Sequence, residues 1–521
     1  MLNTKRLYHT LRYLKLTQVF HQIKYRLVKP KRAANPWGGS FTQVDLVDFP
    51  EKHTSLSLSN DVWSFRFLNL EKSFFGEPLD WSFPDYGMLW AYNLNYFDWL
   101  HQNGMSREQG LVTLSQYYDT SAQKNPLILH PYPTSLRIIN IAKFISKWDI
   151  KEDWLYYELV SDLKFLSGRL EYHLLANHLL ENAFALYIGG LITNQDEFSQ
   201  KGKKLILREL NEQVLNDGMH FERSPMYHLI ILEKILDALN FAKSSADDFE
   251  SNLMTYAVRM TGLALNWEEL DRIPMMQDSA YDIALTVPEV LQYAKDLLGE
   301  SYPKMSNDLK DSGYRKLVNG DFSLFANVRS IGPSYQPAHA HSDELSFELF
   351  YCGTPIIVDT GVSTYEKDEL RTNERSSFSH NCVSQENKNL SDVWASFRVG
   401  KRAVVESHSS YGFIHATCKA NRVRISRNFE VVSDGILIED KIEQNEGLPA
   451  QGCLHLHPDV NLEKIDSHSF KASDLIIIVS TDENDVSIKD YNYCKGYNKR
   501  LPSKKLVYSL NNHARVEFRK A

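Results

Sequence analysis

The chain of 521 residues is long enough for two or three domains, and its 43% hydrophobic, 12% aromatic and 24% charged residues fit a globular protein with a large core. A formal net charge of −8 excludes a general nucleic-acid binder, because an acidic field repels phosphate. The same repulsion requires any acidic glycan to meet a local basic groove.

The first segment, residues 1–75, opens on cations. Lys5, Arg6, Arg12, Lys15, Lys24, Arg26, Lys29, Lys31 and Arg32 all precede the first acidic residue, and Leu7, Leu11, Leu14, Phe20, Ile23 and Leu27 interleave with them at roughly helical spacing. A basic amphipathic helix of this kind suits packing on its own protein, or association with an anionic membrane or glycan surface. No run of about 18 apolar residues occurs, which argues against a spanning helix, and the N-terminus lacks the apolar core and cleavage site of a secretory signal. The expected location is cytoplasmic, with periplasmic or cell-surface action left open.

A second segment, residues 76–312, reads as an all-α block. Its apolar period is helical, as in Ser135–Ile145 and Leu174–Leu186, with short polar or Gly/Pro breaks. Within it, Asn177, His178 and Glu181 sit one turn apart on an otherwise apolar helix and can share one buried polar patch, whether for chemistry or as a hydrogen-bond cluster between helices. Further on, Ser224 is a candidate N-cap and Pro225 a good first helical residue, which places Tyr227 in the first turn. The helix dipole there favours a phenolate by only ~0.3–1 kcal/mol, so neighbouring cations or histidines would have to supply the rest.

Near residues 301–320 the period changes from helical to alternating, and residues 313–521 read as a β domain. Leu345, Phe347, Leu349 and Tyr351 share one strand face, a turn is expected at Cys352–Pro355, and a partner strand resumes at Ile356–Val358. Further strands are expected at Arg402–Glu406, Phe429–Val432, Ile436–Glu439 and Leu475–Ser480. Just before the first of these strands, His339, His341 and Asp343 point the same way in an extended chain. With Asp359 and His380 downstream, two histidines and a carboxylate are a suitable ligand set for zinc drawn from separate loops. The second His-x-His pair, His455 and His457, reads as strand residues. The five cysteines match neither a disulfide framework nor a metal knuckle and read as buried thiols.

In order, these segments are Asn-His-x-x-Glu, Glu-x-Ser-x-x-Tyr-His, His-x-His-x-Asp leading into Leu-Ser-Phe-Glu-Leu, Val-Asp-x-Gly and Ser-His-Asn. Together they resemble the heparinase II/III family of polysaccharide lyases from roughly Trp90 to Val383. Stretches Tyr92–Asp98, His130–Arg137 and Asp278–Asp282 look like those lining the cleft in exopolysaccharide-associated members. The resemblance implies an α+β multidomain fold, an incomplete (α/α) toroid followed by an antiparallel β-sandwich, with the active site between them. It also implies β-elimination at a uronic acid of an acidic polysaccharide. Asn177 and His178, with Glu181 protonated or orienting, become the groups that neutralise the uronate carboxylate. Tyr227 becomes the residue that takes the C5 proton, protonates the leaving oxygen, or does both, with His339 as alternative base from the other face of the sugar. Arg137, Arg375, Tyr132, Asn93 and Glu222 are candidate substrate contacts, and His341, Asp359 and His380 match positions that hold a structural divalent metal, zinc by expectation. Competing readings are a toroid glycoside hydrolase recruiting Glu181, Glu222 and Asp278, a cupin-like oxygenase centred on His339 and His341 with Glu344 or Glu348, and a non-catalytic glycan-binding protein.

Overall fold

A computed structural model describes residues 4–33, 38–59, 62–75, 79–300, 302–385, 388–420, 423–444 and 449–521. Ser301, at the edge of the predicted boundary, lies outside them. Two short helices, Thr4–Leu11 and Leu16–Leu27, lead into a three-stranded antiparallel sheet of Leu56–Ser59, Val62–Phe67 and Leu70–Phe75. Sequence periodicity missed this sheet. Phe65 and Phe67 set their rings edge-on to Trp81, Trp90 and Trp99, so the segment completes the wall of the helical block instead of extending from it.

That block is an incomplete (α/α) toroid, whose helices relevant to the site are Met88–Tyr96, Pro131–Trp148, Asp153–Gly168, Ala176–Ile192, Asp196–Gln213, Pro225–Ser244 and Glu250–Ala264. Ala176–Ile192 is apolar nearly all round because neighbouring helices enclose it. It approaches Asp196–Gln213 backbone to backbone: a Cβ at Gly190 would lie 2.4 Å from the Ser199 nitrogen, and one at Gly202 2.5 Å from that of Tyr187. Two helices can meet this closely only where those side chains are absent.

The β domain that follows holds antiparallel sheets of five, eight and four strands among the described residues. Its first short strand, Asp308–Leu309, already belongs to the five-stranded sheet, ahead of the predicted start at 313. The predicted hairpin forms between Phe347–Tyr351 and Thr354–Ile357, and Cys352 (φ 49°) and Gly353 (φ 79°) make its two-residue turn. Leu345, Phe347, Leu349 and Tyr351 all enter the sandwich core. Two readings need correction: Cys352 is exposed on that turn while the other four thiols are buried, and His457 lies just past the strand Ala450–His455 that carries His455.

Between toroid and sandwich a small apolar cluster joins Met226, Ala280, Val362 and Tyr497, with Tyr227 and Tyr365 packed on it. The start of the Pro225–Ser244 helix is thereby fixed at the interdomain junction.

Candidate active site

Local sequence sets the first element. Ser224 caps its helix by accepting the Tyr227 backbone N–H at 3.2 Å, and its hydroxyl donates to the Asp278 carbonyl at 2.9 Å. One serine thus ties the first helical turn to the 271–286 loop. Tyr227, half-buried, stacks its ring on His339 at 4.0 Å between centroids with 30° between planes, and its hydroxyl lies 3.4 Å from that of Tyr365. Burial pushes the phenol well above its ordinary value; the Tyr365 hydroxyl and Arg371 oppose the rise, and Asp278 and Glu222 add to it. Tyr227 therefore rests as a neutral phenol. The cation and histidine that a phenolate would need are both nearby, Arg371 and the stacked His339, but they do not outweigh burial.

Asp278 is the hub. Arg371 donates to both its oxygens, at 2.6 and 2.7 Å, His339 Nδ1 lies 2.9 Å away and His341 Nε2 2.8 Å. Burial alone would raise this carboxyl, but Arg371 and the two histidines hold it well below the usual range. On the other side of His339, Nε2 lies 3.3 Å from Glu222, whose carboxylate accepts the Asn177 backbone N–H at 3.1 Å and its amide N–H at 2.8–3.0 Å. Asn177, Glu222, His339, Asp278 and Arg371 form one continuous buried chain from toroid to sandwich.

His178 is half-buried, 3.2 Å from Glu171, with the Tyr132 ring 4.6 Å away. Burial would depress its pKa, but Glu171 more than offsets that and raises it, so the imidazolium is favoured. One turn on, Glu181 is fully buried with neither carboxylate oxygen hydrogen-bonded. Burial pushes it up to about 8, so it is a neutral acid near pH 7. Asn93 donates back to Leu89 on its own helix and remains half-buried.

Two candidate arginines lie elsewhere. Arg137 is fully buried, paired with Asp162 at 2.9 Å, and Asp162 is shared with Arg32; it braces toroid helices and does not face a substrate. Arg375, also buried, donates to the Ala340 carbonyl at 2.8 and 3.2 Å and to Ala395 at 3.0 Å, clamping the loop between His339 and His341. Glu222, expected to touch substrate, is buried and positions Asn177 and His339. The rings of Tyr227 and His339 lie face to face, not on opposite sides of a sugar. Arg371, Tyr365 and Glu171 were missed, since nothing in their local pattern distinguishes them from surface residues.

For the metal, His341 and His380 rings stand 5.2 Å apart, both buried, and His341 Nδ1 and His380 Nε2 have no hydrogen-bond partner. His380 Nδ1 instead meets Asp359 at 2.7 Å. Among the described residues no three His, Cys, Asp or Glu side chains converge as a metal-holding group.

The carboxylates of the hydrolase reading are committed: Glu222 to Asn177, Asp278 to Arg371 and two histidines, while Glu181 is sealed off. In the cupin reading, Glu348 is paired with Arg272 at 3.1 Å and Glu344 with Ser391. A surface cavity of about 1260 Å³ is lined by Lys5, Arg6, Lys367, Lys388 and Lys401 against Asp368, Glu369 and Asp392. It includes Ala395, two residues from Phe397, whose ring stands 6.4 Å from His339. Within it Arg6 is paired with Asp392 at 2.7 Å.

Family models described as heparinase II/III N-terminus and heparinase II/III-like, C-terminal, match residues 86–302 and 302–518. A heparin-sulfate lyase of Pedobacter heparinus is 25% identical over 214 residues, 37% of this chain and 32% of that protein. One of Bacteroides stercoris is 27% identical over 245 residues, 41% and 36% respectively. The chain thus aligns with about a third of the length of these curated relatives. Among solved structures, heparinase III superposes with a TM-score of 0.66 at 14% identity, covering 85% of this chain and 79% of that one. A heparan sulfate lyase mutant from Pedobacter heparinus gives 0.60 at 18%, covering 97% and 88%; at such identities the likeness concerns the fold. With two consecutive models spanning residues 86–518 over this toroid and sandwich, the chain belongs to the heparinase II/III-like family.

Proposed function

We propose that the protein is a polysaccharide lyase that cleaves a uronic-acid-containing acidic glycan, of the glycosaminoglycan or exopolysaccharide class, by β-elimination. The observation that carries this reading is the neutral Tyr227 phenol stacked on His339 across from Asn177 and His178 at the interdomain junction. The C5 proton of a uronate leaves only if its carboxylate is neutralised so that the enolate-like intermediate is stabilised. The His178 imidazolium and the Asn177 amide, oriented by Glu222, supply that neutralisation. His339, held at Nδ1 by Asp278 and facing Glu222 through Nε2 at 3.3 Å, takes the C5 proton once its Nε2 turns from Glu222 to the substrate. Tyr227 gives its phenolic proton to the departing O4. The C4–O4 bond breaks, a C4–C5 double bond forms, and no water is consumed. The heparin-sulfate lyases among the relatives support an acidic substrate.

A structural divalent metal, zinc by preference, belongs to the same proposal. Its support is the pair of buried, unpartnered nitrogens on His341 and His380 with Asp359 beside them. When bound it would brace three sandwich loops, and no proton transfer passes through it.

Tyr227→Phe tests the reaction, with uronate polysaccharides assayed for ultraviolet-absorbing unsaturated ends. The wild type should form them, and the variant should bind the polymer but lose turnover. Saturated products would sink the lyase reading, and full turnover in the variant would remove Tyr227 from proton transfer. For the metal, elemental analysis should find zinc in His339→Ala but not in His341→Ala or His380→Ala; zinc lost equally from all three would reject this ligand assignment.

A further inference from the structure

The Leu16–Leu27 helix is mounted the wrong way round for a soluble protein. A surface helix ordinarily turns its apolar stripe inward and its polar face to water. Here Leu16, Phe20, Ile23 and Leu27, spaced i, i+4, i+7 and i+11 along one face, are 87%, 63%, 56% and 78% exposed, and Val19 beside them is exposed too. The polar side holds the helix down. Gln18 donates to the Leu174 carbonyl at 3.3 Å, Tyr25 to that of Leu170, His21 packs its ring 4.8 Å from Tyr172, and Arg169 donates to the Tyr25 and Val28 carbonyls at 2.8 Å each. These anchors fix the outward orientation.

Charge decides what suits that face. At about 100° per residue, Lys24 and Arg26 fall on opposite flanks of the apolar stripe, and Lys29 and Lys31 follow the helix; all four are exposed and carry no ion pair among the described residues. Residues 1–44 contain no acidic side chain. An apolar ridge flanked by cations matches a bilayer surface, where acyl chains take up the leucines and anionic headgroups meet the lysines and arginine. A second copy of this chain would instead oppose cation to cation, and a glycan would leave the leucines in water. With 12 residues the helix is too short to cross a bilayer.

We propose that the outward face of the Leu16–Leu27 helix is a monotopic docking surface for an anionic lipid bilayer, lying in the plane of the headgroups. It would hold the catalytic body at a membrane.

The test is flotation of the full chain with vesicles of phosphatidylcholine and phosphatidylglycerol in equal parts. The wild type should float, and weakly or not at all with phosphatidylcholine alone. The triple variant Phe20→Ser, Ile23→Ser, Leu27→Ser changes only exposed side chains, so its thermal melt should be unchanged while partitioning falls on the order of tenfold per residue. Lys24→Glu with Arg26→Glu should weaken partitioning by about fivefold per lost cation and remove its salt dependence. Failure of the wild type to float, or flotation of the triple variant at the wild-type level, overturns the proposal. So does concentration-dependent dimerisation abolished by the triple variant without vesicle binding, which would assign the face to a second copy. Heparin binding lost in the charge-reversed variant, retained in the triple variant and unaccompanied by flotation would assign it to a glycan and equally overturn the membrane reading.

Discussion

Glu181→Gln isolates the effect of burying a carboxyl. Glu181 lies inside the toroid with both oxygens unpaired. Lys234, the cation that opposes the burial of Glu181, stands 3.6 Å from Glu233 and 3.7 Å from Asp237, so its charge is already matched and an ionised Glu181 would add a surplus negative charge. The folded carboxyl therefore titrates at about 8, against an ordinary value of 4.5. Because the folded value is raised, the stabilising contribution is complete below pH 4.5, declines as pH rises, and is lost once pH passes about 8. At 1.36 kcal/mol per pH unit, the wild type is destabilised by about 3 kcal/mol at pH 7, growing to about 5 kcal/mol above pH 8. Glutamine keeps the shape and stays neutral throughout. Urea denaturation followed by tryptophan fluorescence should find the two proteins equally stable near pH 4.5 and the variant more stable by those amounts at higher pH. A difference that does not change with pH, or a variant less stable at pH 7, would refute the argument that Glu181 is protonated in the folded protein.

Arg137→Met should lower stability by about 3–5 kcal/mol, because it breaks a fully buried pair, with KM for the glycan unchanged; a raised KM at unchanged stability would return Arg137 to the cleft. Arg371→Lys removes the two-pronged grip on Asp278 and should lower kcat on the order of a hundredfold with little change in KM, since His339 loses its orientation while substrate contacts persist. Unaltered kcat would show that Asp278 needs no such clamp. His178 is cationic below its raised pKa, so KM for an acidic chain should climb as pH rises through that titration, and His178→Gln should flatten the dependence. A wild-type KM indifferent to pH would argue against His178 as the carboxylate partner.

Chain-local physics was legible in the residues alone. The change of apolar period marked toroid and sandwich, Ser224-Pro225 placed Tyr227 in a first helical turn, and Cys352-Gly353 marked the hairpin. The order of the motifs identified the family. Each of these signals spans a few residues or depends only on sequence order, so no tertiary contact is needed to read it.

Only tertiary structure decided where charges find partners and which way faces turn. Asn177 meets Glu222 across 45 positions, and Asp278 meets Arg371 across 93. Nothing local separates Arg371, which grips the hub, from Arg137, which is buried on Asp162. The ionisation of Tyr227 depended on neighbours the sequence could not place, and its burial set the sign of its shift. The basic N-terminal helix was readable as amphipathic, but which face it shows to water was not. Periodicity belongs to the backbone's own geometry, whereas ionisation state, pairing and exposure depend on neighbours that distant parts of the chain bring within a few ångströms.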